Sequence, residues 1–387
     1  MRERAVNYLR CFVCCFITAL CASGQSVHNV STFRANPQRT GVYDTPGPKN
    51  YREVRWKFSG SGEIEATPVF ASGIVYAATH GGFMYALDVR TGREVRNTFQ
   101  DRNRYSLLSS PIISGDGIYF INRQGFGYGF DLSSGNSKFG YETVTNNELP
   151  KRFEIGKRKD DRFILSSPLI EAGVLFVGSS DGRLYAIDAV TRKERWSFRT
   201  EAAILSSPAF ADGTIFFGSN DSYVYAIDAS TGRQKWQFLT RDPIMSSPAV
   251  ANGTVYVASE DSYLYAIDTR TEKERWRFKT NNRITSSPAV YKDLVYIASF
   301  DRYLYAVDDA TGKERWRMQV HACVLCSPAV SDGVVYIGGG NVLFAFDAAT
   351  GEQKWKFDAT SVISSSAVIA DGAVFFGTED GTVYAIQ

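Results

Sequence analysis

The chain has 387 residues, of which 44% are hydrophobic and 14% aromatic, enough apolar material for a large buried core. A formal net charge of +2 excludes the strong basic field of a nucleic-acid-binding protein. Six cysteines in so long a chain exclude a fold held mainly by cross-links.

Residues 1–24 read as a secretory signal: Arg2, Arg4 and Arg10 form a basic start, the apolar run 11–21 is too short to span a membrane, and Ala22-Ser23-Gly24 offers small residues for cleavage. A retained N-terminal anchor and a lipoprotein signal are the alternatives, although Ala19-Leu20 before Cys21 suits lipidation poorly. Cleavage removes three of the 43 basic residues and one of the 41 acidic ones, leaving 40 of each. It also removes Cys11, Cys14, Cys15 and Cys21, so only Cys323 and Cys326 remain. The mature chain is expected in the periplasm or outside the cell, with no transmembrane segment and no nucleic-acid partner.

Residues 25–53 form a leader that ends in Pro46-Gly47-Pro48. From there an internal repeat dominates. Ser206-Ser207-Pro208-Ala209 returns as Ser246-Ser247-Pro248-Ala249 and as Ser286-Ser287-Pro288-Ala289. Prolines 168, 208, 248, 288 and 328 keep one spacing, Pro68 and Pro111 extend the series upstream, and Ser366 takes the place downstream, which makes eight units over residues 54–387. Each unit predicts four short strands. The first runs through Ser-Ser-Pro-Ala, and a hairpin of the Asp212-Gly213, Asn252-Gly253 or Asp332-Gly333 kind follows. The second is β-branched, as in Thr254-Val255-Tyr256-Val257; a turn bearing Asp181, Asp221, Asp261, Asp301 or Asp380 leads to the third; the fourth carries Trp196, Trp236, Trp276, Trp316 or Trp355. The last unit stops at Gln387 without a fourth strand, and Val54-Arg55-Trp56-Lys57-Phe58 is a spare one. The expected fold is therefore all-β, an eight-bladed propeller of four-stranded blades closed by an N-terminal strand. An open solenoid, the alternative, would need capping units that the sequence lacks.

The segment Ala226-Ile227-Asp228-Ala229-Ser230-Thr231-Gly232-Arg233-Gln234-Lys235-Trp236 resembles the tryptophan-docking motif of pyrroloquinoline-quinone-like (quinoprotein alcohol dehydrogenase-like) propeller repeats. It recurs complete at 306–316 and 345–355, and nearly so in the units ending at Trp196 and Trp276, where Arg192 and Glu272 replace the glycine. Phe33 to Gly41 resembles the leader that precedes the first blade in this family, read as an extended strap along the ring. The resemblance implies a structural role for the motif tryptophans, including Trp56. Within the family the chain most resembles the non-catalytic B subunit of the outer-membrane β-barrel assembly machinery. That implies an exported binding scaffold for a protein partner in the cell envelope, as a monomer or as a subunit of a hetero-complex.

The same resemblance supplies an alternative, an oxidoreductase dependent on pyrroloquinoline quinone with calcium. The repeats are near-minimal, no cluster of carboxylates is legible outside the turn positions, and the adjacent pair Cys14-Cys15 lies in the signal, so no catalytic residue, cofactor or metal is expected. A receptor for an extracellular polymer or small ligand is a third reading. Cys323-Val324-Leu325-Cys326 reads as two small residues replacing Arg283 and Ser286 of the preceding unit, as a local disulfide, or with His321 as part of a metal site. The loops before each first strand carry Arg104, Arg162, Arg241, Arg283 and His321, a candidate collar for an anionic partner; Glu63 and Glu201 in equivalent loops favour ordinary solvated charge. Finally, Pro111 and Pro168 stand farther apart than the repeat allows, which predicts a projecting insertion near 140–161.

Overall fold

The computed structural model describes residues 32–95, 99–101, 104–132, 137–139, 153–154, 163–320 and 326–387. The expected signal, Arg162, His321 and Cys323 lie outside them. All the named elements are strands. They form eight antiparallel sheets, seven of four strands and one with a fifth short strand.

Blade five shows the pattern. Its inner strand Ala249–Ala251 is followed by Thr254–Ala258, Tyr263–Asp268 and the outer strand Glu274–Lys279. Asn252 and Gly253 both have positive φ, 51° and 68°, as a two-residue turn that matches strand twist requires. Serine and proline stand just before the ladder instead of within it. Proline has no N–H to give, and the serine amide points to the next blade.

The ring closes as the strand count requires. Val54–Ser59 pairs with Thr382–Ile386, with Phe58 opposite Val383, and completes the eighth blade. Inner strands of neighbouring blades touch across the seam, Val69–Ala71 of blade one against Val368–Ala370 of blade eight.

Three contacts repeat between blades. Five of the six motif tryptophans donate the indole N–H to the turn of the next blade, as Trp196 does to Ala229 O at 3.2 Å, Trp276 to Asp309 O at 2.7 Å and Trp56 to Val89 O at 2.9 Å. A Cβ on Gly232 would come within 2.6 Å of the Trp196 ring, and the residue has φ +71°, so the motif glycine answers both to conformation and to close approach. Two residues after the tryptophan, a phenylalanine meets a tyrosine of the next blade edge-on, Phe278 with Tyr305 at 5.4 Å and Phe58 with Tyr85 at 4.9 Å. The second serine accepts the amide of the preceding blade, Ser207 N–H to Ser247 Oγ and Ser247 N–H to Ser287 Oγ, both at 2.9 Å.

In blade two the insertion interrupts the outer strand itself. Ser137–Phe139 pairs with one end of Phe126–Asp131, and Phe153–Glu154 returns to pair with Gly127 and Phe126 at the other. Residues 153–154 of the expected loop thus belong to the sheet, because two chain passes share the edge that one strand occupies elsewhere.

The leader does more than strap the ring. Its carbonyls accept amides from the free, axis-facing edges of four inner strands: Phe210 N–H to Pro37 O, Val250 to Gln38, Val290 to Thr40 and Val330 to Gly41, at 2.8–2.9 Å. Arg39 is wholly buried and spends its guanidinium on the carbonyls of Phe33, Ser167, Pro168 and Pro208 and on the Thr32 hydroxyl. Arg34 reaches the carbonyls of Arg39 and Pro288. Burial pushes both guanidiniums down, Arg34 to about 10 and Arg39 to about 9, where the charge of Arg34 adds to the effect. Both stay charged at neutral pH.

Candidate functional site

The loops that join one blade's outer strand to the next inner strand gather on one face, beside the turns between second and third strands. Side chains tie them down. Asp261 Oδ2 accepts the Tyr265 hydroxyl at 2.7 Å and the Arg241 amide at 3.1 Å, and Oδ1 accepts the Tyr263 amide at 2.9 Å. Thr240 and Ser259 hydroxyls both donate to Asp242 O, at 2.9 Å. Burial, with the bond to Asp261, holds the Tyr265 hydroxyl above its ordinary value, so it stays a donor. Each loop is thus anchored to the turns of both flanking blades, a rigid mount for exposed side chains.

Arg104, Arg241 and Arg283 are exposed in such loops. Arg241 lies over the Tyr263 ring at 5.6 Å, and Arg283 over Phe300 at 4.3 Å with its Nη1 3.9 Å from Glu260. The charge on this face is mixed, since Glu63, Glu201, Glu260 and Glu379 share it. Cys326 is a free, buried thiol in the place of a repeat serine; it donates to Ile363 O at 3.3 Å, and burial pushes it up to about 12, far from a reactive thiolate.

The expectation of no carboxylate cluster outside the turn positions is corrected in blade one. Glu63, Glu65 and His80 bring one ligand atom each within 4.8 Å of one another, the one such group of three among the described residues. His80 Nε2 is 3.1 Å from Glu65 Oε2, and Nδ1 is 3.8 Å from Glu63 Oε2. Burial first, then the neighbouring charge of Glu65, raises Glu63 above the usual carboxylate range, with His80 opposing. Superposing the repeats would have revealed the group. Glu63 and Glu65 stand where other blades carry Ala203 and Leu205, or Pro243 and Met245, and His80 stands where they carry Asn220 or Ser180.

The six motif tryptophans sit in the blade junctions. Trp56, Trp236, Trp276, Trp316 and Trp355 are buried, while Trp196, at the junction of blades three and four, is half-buried. The family described as "Beta-alanine-activating enzyme, beta-propeller" matches residues 164–387, more than half the chain. The protein belongs to this β-propeller family. A second family, described as outer membrane protein assembly factor BamB, matches residues 50–154. BamB of Salmonella typhimurium is 26% identical over 126 residues, which cover 33% of this propeller and 27% of that protein, so the match takes in about a quarter of the relative's length. Among solved structures, BamB of Moraxella catarrhalis superposes with a TM-score of 0.72 at 16% identity, over 87% of this chain and 99% of that one. The quinohemoprotein alcohol dehydrogenase of Comamonas testosteroni superposes with 0.76 at 14% identity, over 93% and 80%. At these identities the structural likeness is one of fold. The quinoprotein-like propeller repeat read from the docking motif is borne out by the second family and the BamB relative, and its fold by both structures.

Proposed function

We propose that this propeller is a non-catalytic, exported scaffold that holds a protein partner in the cell envelope, in the manner of an outer-membrane assembly factor. The observation that carries this reading is the leader in the ring. The axis-facing amides of blades four to seven bond the protein's own backbone. The guanidiniums of Arg34 and Arg39 bond carbonyls beside these strands, with no carboxylate among their hydrogen-bond partners, whereas a calcium ion needs oxygen ligands that carry negative charge. Two buried cations in the ring do not suit a calcium ion, which supports the anchored loops between blades as the working surface. The match to BamB in sequence supports the same reading, as does the superposition on BamB along almost its whole length. No helix among the described residues is long and apolar enough to cross a membrane.

The test is cross-linking and capture from an envelope extract with residues 25–387 as bait, beside a variant carrying Arg104→Ala, Arg162→Ala, Arg241→Ala and Arg283→Ala. A stoichiometric protein complex recovered by the parent and lost by the variant is expected. Quinone- and calcium-dependent dye reduction with an alcohol, together with no recoverable complex, would replace the scaffold by the oxidoreductase.

A further inference from the structure

We propose that Glu63, Glu65 and His80 form a binding site for one divalent transition-metal ion of the zinc class, on the loop face at the ring's seam. The argument is independent of the scaffold reading.

Three observations converge. First, the geometry: two carboxylates and an imidazole from two separate segments place their ligand atoms within 4.8 Å of one another. Glu63 and Glu65 flank Ile64, which is wholly buried and locks the segment. The amide of His80 is tied to Glu63 O at 2.9 Å, so the two segments are held together by the backbone before any ion arrives. Second, His80 Nε2 is buried and makes no hydrogen bond. It lies 3.1 Å from Glu65 Oε2, within ion-pair reach but outside hydrogen-bond geometry. The side chain keeps a third of its surface exposed, so this covered nitrogen, beside two carboxylates, can turn its lone pair to an ion they share. Third, blade one abandons the pattern of its neighbours at this spot. Blades three to six keep an aspartate in the turn, which accepts a tyrosine hydroxyl, as Asp221 does from Tyr225 at 2.9 Å. Blade one has Gly81 there, and its Tyr85 hydroxyl takes the Ser61 amide instead, at 2.9 Å. Blade one thus lacks the turn carboxylate and instead carries Glu63 and Glu65 where blades four and five have Ala203 and Leu205, or Pro243 and Met245.

The donor set names the ion class. Two carboxylates balance a divalent charge. The imidazole favours zinc and its transition-metal neighbours over magnesium and calcium, which take oxygen. Three protein ligands leave a coordination position open to water or to a partner's side chain. Glu379 of blade eight adds negative charge close enough to bear on Glu63.

The test is isothermal titration of chelator-stripped protein, residues 25–387, with zinc alone. One equivalent is expected, bound at least about tenfold more weakly by His80→Gln and by Glu65→Gln. Zinc should raise Tm in the parent and not in these variants, whose zinc-free Tm should match the parent's and so exclude misfolding. Calcium and magnesium should bind more weakly than zinc. His321→Ala and Cys326→Ser should titrate as the parent does. The proposal fails if zinc binding does not saturate, if His80→Gln binds as tightly as the parent, or if His321→Ala abolishes the equivalent. The first outcome would leave His80 as a simple ion-paired bridge between two glutamates.

Discussion

Blades three to six and the seam between blades seven and one solve the same packing problem with different chain. Along the regular arc each tryptophan finds its acceptor in the next repeat, as Trp236 does at Thr269 O and Trp276 at Asp309 O. At the seam the repeat has run out, because blade eight takes its outer strand from the start of the chain and has no turn of its own to offer. Trp355 donates instead to Pro48 O at 2.9 Å, and the Tyr336 hydroxyl joins it there at 3.1 Å. A Cβ on Gly47 would stand 2.5 Å from the Tyr336 hydroxyl, so the Pro-Gly-Pro of the leader is shaped as a surrogate turn. A junction between blades needs an acceptor, a close approach and an edge to pair with, and any segment that supplies them will serve.

If the surrogate is complete, the two kinds of junction should break alike. Trp276→Ala and Trp355→Ala are each expected to cost about 3 kcal/mol or more, the scale of a large core truncation, read as a shift in urea midpoint. A Trp355→Ala loss of less than about a third of the Trp276→Ala loss, on that same scale, would show the seam to be the looser joint. Arg39→Met should follow, at on the order of 3 kcal/mol, because it leaves the carbonyls of Pro168 and Pro208 without a donor. Its unfolding curve should lose stability across the whole ring; an unchanged midpoint would mean that the leader merely rests on the inner strands.

Smaller effects sharpen the contrast. Ser247→Ala removes one amide acceptor between blades four and five and should cost about 1 kcal/mol, as should Ser366→Ala between blades seven and eight, by equilibrium denaturation. The smallest effect is electrostatic. Asp188, Asp228, Asp268 and Asp308 are held below the usual carboxylate range, first by hydrogen bonds from serine or threonine of their own turns and further by Arg195, Lys235, Arg275 and Arg315. A depressed folded value stabilises above the unfolded one, about 4, and that contribution is lost as pH falls through the folded value. Tm should therefore decline on acidification below about pH 4, by little per site because the carboxylates are exposed. Asn substitution at Asp268 and Asp308 should flatten the decline.

Much of the ring was legible without coordinates. Eight units, the two-residue turns at Asp212-Gly213 and Asn252-Gly253, and the missing fourth strand of the last unit follow from spacing and turn chemistry, which act over a few residues. The tryptophan junctions were legible for the same reason, since one motif repeated in register has one environment. The serines were read as strand, although their hydroxyls serve the neighbouring blade, because periodicity shows where a side chain recurs and not what it meets.

What the sequence by itself determined is the local grammar: strand, turn, strand, and a closing strand held in reserve at residues 54–59. Only the tertiary structure decided where the leader goes, that Arg34 and Arg39 bury their charge against inner-strand carbonyls, and that Glu63, Glu65 and His80 share one spot. Those are encounters between segments far apart in the chain or out of register with the repeat. Their energies come from burial and from the pairing of polar groups that no short window of sequence contains.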